Sequence, residues 1–361
     1  MVTGQDHLQE RYASAVAEEI RRRHDGRGPF DTVFFGGGTP GRLAPELIER
    51  ILESARDSFG LAAGAEITVE ANPASVDGRC FPALRRAGCN RLSLGVQSLA
   101  DATLDALGRD HRASDGERAL SQARDAGFDQ VSVDLIFSVP GAPPGDWPAT
   151  LGRVVELAPD HISAYALIIE AGTPLQERVQ RGEMRPVDED TDGAAYAAAQ
   201  QVLGTAGYDQ YEVSNFAQDG CRCRHNWDCW MGEEYVGVGL SAHSYLEGER
   251  SWNAVSLADY MESVEAGRSA VAGGECLDEA ARQRELAWLR LRTSAGLRLT
   301  PEQRSLVGRD RRVVELVRRG LGALDDESLR LTGPGLAVAD AAAEVICDAL
   351  DYGRPAALTE D

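Results

Sequence analysis

The chain has 361 residues, 58 of them Asp or Glu and 37 Lys or Arg, for a formal charge of −21. All 37 basic residues are arginine, and an apolar fraction of 43 % is ample for a packed core, which excludes a disordered chain. This charge argues against a nucleic-acid partner, and no run reaches the ~20 apolar residues of a membrane span.

Residues 1–23 lack the apolar stretch of a signal peptide and read as a helix over 8–23. Seven cysteines, an odd count without a secretory signal, point to reduced thiols and a cytoplasmic location. Short β-rich runs then alternate with amphipathic stretches. The runs are 32–35 (TVFF), 66–70 (EITVE), 91–95 (RLSLG), 131–137 (VSVDLIF) and 161–169 (HISAYALII). Helical patterns fill 45–59, 78–87, 115–126 and 146–157. Pro45 and Pro148 sit near helix starts, and Gly60, Gly88 and Gly127 sit just past helix ends. Such alternation predicts an α/β fold with a parallel sheet, either doubly wound or a barrel.

Polar and turn-forming residues follow each strand, on the edge where parallel α/β folds place ligands. Gly36, Gly37, Gly38, Thr39 and Pro40 follow the first, and Glu70 ends the second. Gln97 follows the third, Asp134 lies in the fourth, and Glu170 ends the fifth. The string 36–41 spells G-x-G-x-x-G, the dinucleotide fingerprint. That fold puts a ribose-binding acid roughly 20 residues on, whereas Glu70 is 29 residues past Gly41. Three consecutive glycines still exceed the needs of a plain turn and predict close backbone approach to a ligand. Glu70, Gln97, Arg109 and Asp134 suit a zwitterion bearing a ribose: carboxylates for hydroxyls and an ammonium, Arg for a carboxylate.

Beyond Gly172 the pattern changes. Residues 208–216 and 235–245 read as strands around a turn-rich segment, 221–232, that holds Cys221, Cys223, His225 and Cys229. C-x-C-x5-C is not a common zinc spacing, so buried small hydrophobes are the simpler reading. His225, flanked by Trp227 and Trp230, suits either a structural role or ligation of a flat macrocycle. His243 is open to the same two readings. From 278 the chain is helical and Arg-rich. A Gly333-Pro334-Gly335 turn and a last helix over 336–350 follow, suggesting a winged-helix-like end.

Taken together, the strings 35–40 (FGGGTP), 69–73 (VEANP), 91–98 (RLSLGVQS), 134–141 (DLIFSVPG), 161–170 (HISAYALIIE), 211–217 (YEVSNFA), 224–230 (RHNWDCW) and 237–244 (GVGLSAHS) resemble the coproporphyrinogen III oxidase-like radical SAM proteins, in the branch of haem chaperones called HemW. The resemblance implies a partial (β/α)6 barrel over 1–172, a barrel extension with the haem or substrate segment over 173–276, and a helical domain over 277–361. It implies S-adenosylmethionine held above a [4Fe-4S] cluster. Gly37, Gly38 and Thr39 would bind the methionyl amino group. Glu70, Gln97, Arg109 and Asp134 would complete the site, with Ile168 near the adenine. His225, Asn226 and Trp230 would contact haem, although Cys229 replaces the tyrosine of the family's H-N-x-x-Y-W.

One departure stands out. The family's cluster loop, C-x3-C-x2-C, follows the first barrel strand, but this chain has no such spacing and its first cysteine is Cys80. That strand and loop are expected either upstream of Met1, the favoured reading, or absent from a cluster-less paralogue, and cleavage of S-adenosylmethionine is not expected of the chain as written. The implied partners are haem or a porphyrin and haem-accepting proteins. The alternatives are an oxygen-independent coproporphyrinogen III oxidase and, from the glycine turn alone, a nucleotide-dependent oxidoreductase.

Overall fold

A computed structural model describes residues 6–76 and 78–351. Two compact units divide the chain. The first comprises 1–209, 214–225 and 255–270, and the second 210–213, 226–254 and 271–361.

The first unit is built on a curled half-barrel sheet. Its parallel strands are β1 (Phe30–Phe35), β2 (Leu61–Ala71), β3 (Arg91–Gln97), β4 (Gln130–Phe137) and β5 (His161–Ala166). They pair in sequence order. Two short strands, β6 (Asp209–Gln210) and β7 (Asn215–Ala217), complete the order β1-β2-β3-β4-β5-β7-β6, with β7 antiparallel to β5. α1 (Gln9–Arg22) precedes β1, and the crossover helices include α2 (Pro45–Phe59), α3 (Cys80–Ala87), α4 (Asp101–Ala106), α5 (Ala113–Asp125) and α6 (Asp146–Leu157). Pro45 opens α2, and Gly60, at φ 73°, closes it.

Strand alternation decides which face is core. Ile67, Val69, Leu92, Leu94, Val131, Val133, Leu135 and Ile162 are buried on the face that meets the helices. The intervening residues put Glu66, Thr68, Glu70, Arg91, Ser93, Ser132, Asp134, His161 and Ser163 on the opposite, concave face. Fully covered parallel strands are near-continuously apolar; these are not, because the half-barrel keeps a polar lumen.

α7 (Pro174–Gln180) and α8 (Glu189–Thr205) follow β5, and α8 packs on α6. α9 (Arg224–Met231) begins in the first unit and continues into the second. α10 (Leu257–Glu265) packs on α1, where Tyr260 donates a 2.7 Å hydrogen bond to Glu19.

The second unit holds two small antiparallel sheets. One, ordered β10-β9-β8, joins β8 (His243–Leu246), β9 (Glu249–Asn253) and β10 (Val271–Cys276). The other, ordered β11-β13-β12, joins β11 (Leu297–Arg298), β12 (Gly322–Leu324) and β13 (Ser328–Leu331). α11 (Glu279–Arg290), α12 (Pro301–Val307), α13 (Arg311–Arg318), α14 (Gly333–Leu336) and α15 (Ala339–Ala349) complete it, with α15 packed on α11, α12 and α13. No helix among the described residues is long and apolar enough to cross a membrane.

Five local expectations are corrected, the first being the strand over 208–216, which is broken into β6 and β7. The strand expected over 161–169 ends at Ala166, because β4 offers no partner past Phe137, whose carbonyl accepts from Leu167. The strand expected over 235–245 is reduced to β8 and a bridge between Tyr235 and Tyr245. The segment 221–232, expected as turns, contains α9. Gly333, Pro334 and Gly335 open α14 rather than turn a hairpin, since Thr332 caps Gly335 and Pro334 takes an early helical position where no N–H is needed. The hairpin turn lies at 325–327, where Asp325 accepts from the N–H groups of Glu327 and Ser328 at 2.9 and 2.7 Å.

Candidate functional site

The glycine turn sits at the C-terminal end of β1. Gly37 and Gly38 both adopt left-handed backbone, φ 77° and 72°. Such residues turn the chain at no steric cost. The Gly37 N–H thereby reaches Oε2 of Glu70 at 3.2 Å. Thr39 donates its hydroxyl to the Gly38 carbonyl at 2.6 Å. The chain then makes a short 3-10 turn, Pro40–Arg42, before α2 begins at Pro45. The glycines therefore do not open the helix directly, as a dinucleotide fingerprint requires.

Gly41 lies buried against the end of β2. A Cβ on it would stand 2.9 Å from the Ala71 Cβ and 3.2 Å from the Glu70 carbonyl. Gly41→Ala should therefore displace the turn from Glu70 and cost about 1–3 kcal/mol, the usual range for overpacking. Denaturant unfolding checks this, and an unchanged midpoint would refute the tight packing.

Deeper in the lumen, Ser93 donates to both carboxylate oxygens of Asp134 at 3.0 Å. Ser132 and His161 Nδ1 are hydrogen-bonded at 2.8 Å. Burial pushes Asp134 above the usual carboxylate range, against the opposing pull of Ser163, Ser93 and the Arg91 cation. Glu70 rises to about 7, first through burial and then through the Asp134 charge, with the Gly37 N–H opposing. Burial, aided by Arg91, holds His161 well below the ordinary imidazole value. Buried and neutral, His161 serves as a hydrogen-bond partner, not a cation.

The structure brings Gly37, Glu70 and Asp134 into one carboxylate-lined mouth. Gln97 ends β3 at φ 66°, beside Leu135 in register, with its amide folded over Gly95. Arg109 is exposed in the loop after α4, and Ile168 is 77 % exposed past β5. Sequence reasoning passed over Arg91, Ser93, Ser132, His161 and Ser163. Their signal was the polar residue at every second position of β2 to β5, in strands whose other face is apolar.

A second cluster lies at β1 and β2. The His225 imidazole stacks on Phe34, with ring centroids 5.0 Å apart and planes 20° from parallel. Its Nδ1 is hydrogen-bonded to the Thr32 hydroxyl at 3.2 Å. Burial keeps it below its usual pKa, so it is neutral at pH 7. Arg224 donates to the backbone carbonyls of Gly64 at 3.1 Å and Asp31 at 2.5 Å. Asn226, Cys229 and Trp230 follow along α9 within the second unit, where Trp227 packs on Tyr211.

A curled half-barrel of parallel strands with a glycine turn at its mouth is the fold of the radical SAM class. The sequence matches the Radical SAM superfamily over residues 3–154. It is 38 % identical to the heme chaperone HemW of Mycobacterium tuberculosis over 310 residues, 86 % of this chain and 79 % of that protein. It is 34 % identical over 353 residues to the mitochondrial radical S-adenosyl methionine domain-containing protein 1 of Bos taurus, covering 93 % and 80 %. Among solved structures, coproporphyrinogen III oxidase HemN of Escherichia coli superposes with a TM-score of 0.81 at 24 % identity, over 97 % of this chain and 85 % of that one. The chain belongs to the HemW family of radical SAM proteins.

Proposed function

We propose that this protein binds S-adenosylmethionine in the half-barrel mouth and haem on the His225 segment, and passes haem to acceptor proteins in the cytoplasm. The His225 geometry carries the haem reading. A ligating histidine commonly engages one ring nitrogen with an oriented partner, which fixes the tautomer and directs the other nitrogen to the metal. Thr32 holds Nδ1, so Nε2 is the nitrogen for the iron. Phe34 braces one face of the ring, and burial keeps it neutral, as ligation requires. Asn226 and Trp230 belong to this segment by their place in the family motif.

The mouth fits the proposed S-adenosylmethionine. Glu70 and Asp134 suit an ammonium and ribose hydroxyls, and the left-handed glycines expose backbone polar groups. Gly37, Gly38, Thr39, Gln97 and Arg109 would line this site, with Ile168 towards the adenine. The [4Fe-4S] cluster that the family implies does not fit the residues described. Among them, no group of three or more Cys, His, Asp or Glu is arranged to hold a metal. Burial pushes the Cys89 and Cys347 thiols up to about 12 and about 11, away from the thiolate form that iron requires.

Titration of the purified chain with ferric haem, followed by Soret absorbance, tests the proposal. A saturable one-to-one complex with a histidine-ligated spectrum is expected. A non-saturating rise, as for haem adhering to any apolar surface, would overturn the haem reading.

A further inference from the structure

Glu66 is an unusual residue for the interior of a strand. It lies in β2, 7 % exposed, where burying a carboxylate is costly unless hydrogen bonds repay it. Three donors do so, all from a segment more than 150 positions away. The backbone N–H of Arg224 donates at 3.0 Å, that of His225 at 3.2 Å, and the Cys223 thiol at 3.5 Å.

These are the groups that a helix start leaves unpaired. An N-cap side chain usually takes them up. Here the residue before α9 is Cys223, a poor acceptor, whose own thiol points to Glu66. The carboxylate of β2 therefore caps α9 from across the fold, and its charge favours the positive end of the helix.

The placement bears directly on His225. Thr32 and Glu66 are register partners on β1 and β2. One holds the His225 ring through Nδ1, and the other holds its backbone N–H. Phe34, two residues along β1, stacks on the same ring. The imidazole is thus fixed in position by neighbouring strands as well as by its own helix.

We propose that Glu66 is a positioning residue for haem ligation: it pins the first turn of α9 to β2 so that the His225 imidazole is held ready for iron. This rests on the reading of His225 as the haem ligand. Glu66 does not touch the iron. It acts through the backbone of the residue that does.

The test is ferric haem titration of the full chain as wild type, Glu66→Ala, Glu66→Gln, His225→Ala and the Glu66→Ala/His225→Ala double variant. Affinity and the Soret and EPR signatures are read, with thermal unfolding as a control for folding. Glu66→Ala should weaken binding about ten-fold, the lower end of the range for groups that orient a metal ligand. Its spectrum should move towards that of His225→Ala. Glu66→Gln keeps one of the two acceptor oxygens and should lose only about three-fold, the scale of one hydrogen bond, with the wild-type spectrum. The double variant should bind no more weakly than His225→Ala, because both changes remove one ligation.

Wild-type affinity and spectrum in Glu66→Ala, beside an impaired His225→Ala, would overturn the role of Glu66 alone. An unimpaired His225→Ala would overturn the haem-ligand reading and this inference with it. Should Glu66→Ala not fold, Glu66→Gln decides: a three-fold loss supports the role, and wild-type affinity refutes it.

Discussion

Glu70→Gln should unfold at a higher temperature than the parent protein at pH 8, and at the same temperature at pH 4.5 or below. The reason is the raised pKa of Glu70, which moves from an ordinary value near 4.5 up to about 7. The folded protein binds the Glu70 proton more tightly than the unfolded chain. Stability therefore falls as pH rises from about 4.5 to about 7 and levels off above that. A shift of this size corresponds to about 3 kcal/mol, and residual solvent access at the mouth reduces it to about 2 kcal/mol. Glutamine mimics the protonated side chain, can still accept the Gly37 N–H, and removes the repulsion from Asp134. Thermal unfolding of both proteins across pH 4 to 8 checks this, and a constant gap would rule out Glu70 as the source. Asp134→Asn should act in the same direction on Glu70 itself, lowering its pKa by removing the neighbouring charge that adds to its rise. A pair of carboxylates costly to the empty fold is what the proposed S-adenosylmethionine site would carry, since a cationic ligand would offset that cost.

His225→Ala should weaken ferric haem binding by at least about ten-fold and abolish the histidine-ligated Soret signature. Loss of outer partners of a metal ligand typically costs 10- to 100-fold, and loss of the ligand itself removes the bond they support. Thr32→Val should be milder. It keeps the shape of the side chain and loses only the hydrogen bond to Nδ1, whereas the Phe34 stack and the Glu66 cap remain. Soret titration ranks the three proteins. A Thr32→Val loss as large as that of His225→Ala would mean that the ring's orientation, and not its nitrogen, dominates affinity.

Much of the first unit is legible from periodicity and punctuation. The helix expected over 45–59 is α2 residue for residue, because Pro45 and Gly60 mark both its ends. The helix expected over 146–157 is likewise α6. β2 runs further back than expected, from Leu61, because Ala62 to Gly64 are partly exposed and carry no apolar period. Glu70 and Asp134 stand out in sequence as acids at the end of one β-rich strand and within another, and the sheet places both on the concave face. Arg109 stands out equally by type, yet lies exposed in a loop, since spacing along the chain does not say how a loop folds back.

By itself, the sequence determined the alternation of parallel strands and helices, the glycine turn, and the strand acids Glu70 and Asp134, while the strand order and the rest of the polar concave face came with the structure. The features read from sequence follow from local rules: a strand's two faces alternate, and prolines and glycines bound the helices. Tertiary structure alone decided α9. Nothing near Cys223 offers an acceptor for the free N–H groups of a helix start, so 221–232 reads locally as turns. The acceptor is Glu66, on another strand and more than 150 residues earlier. A buried carboxylate and an uncapped helix are each unfavourable alone, and only the fold that joins them makes both stable.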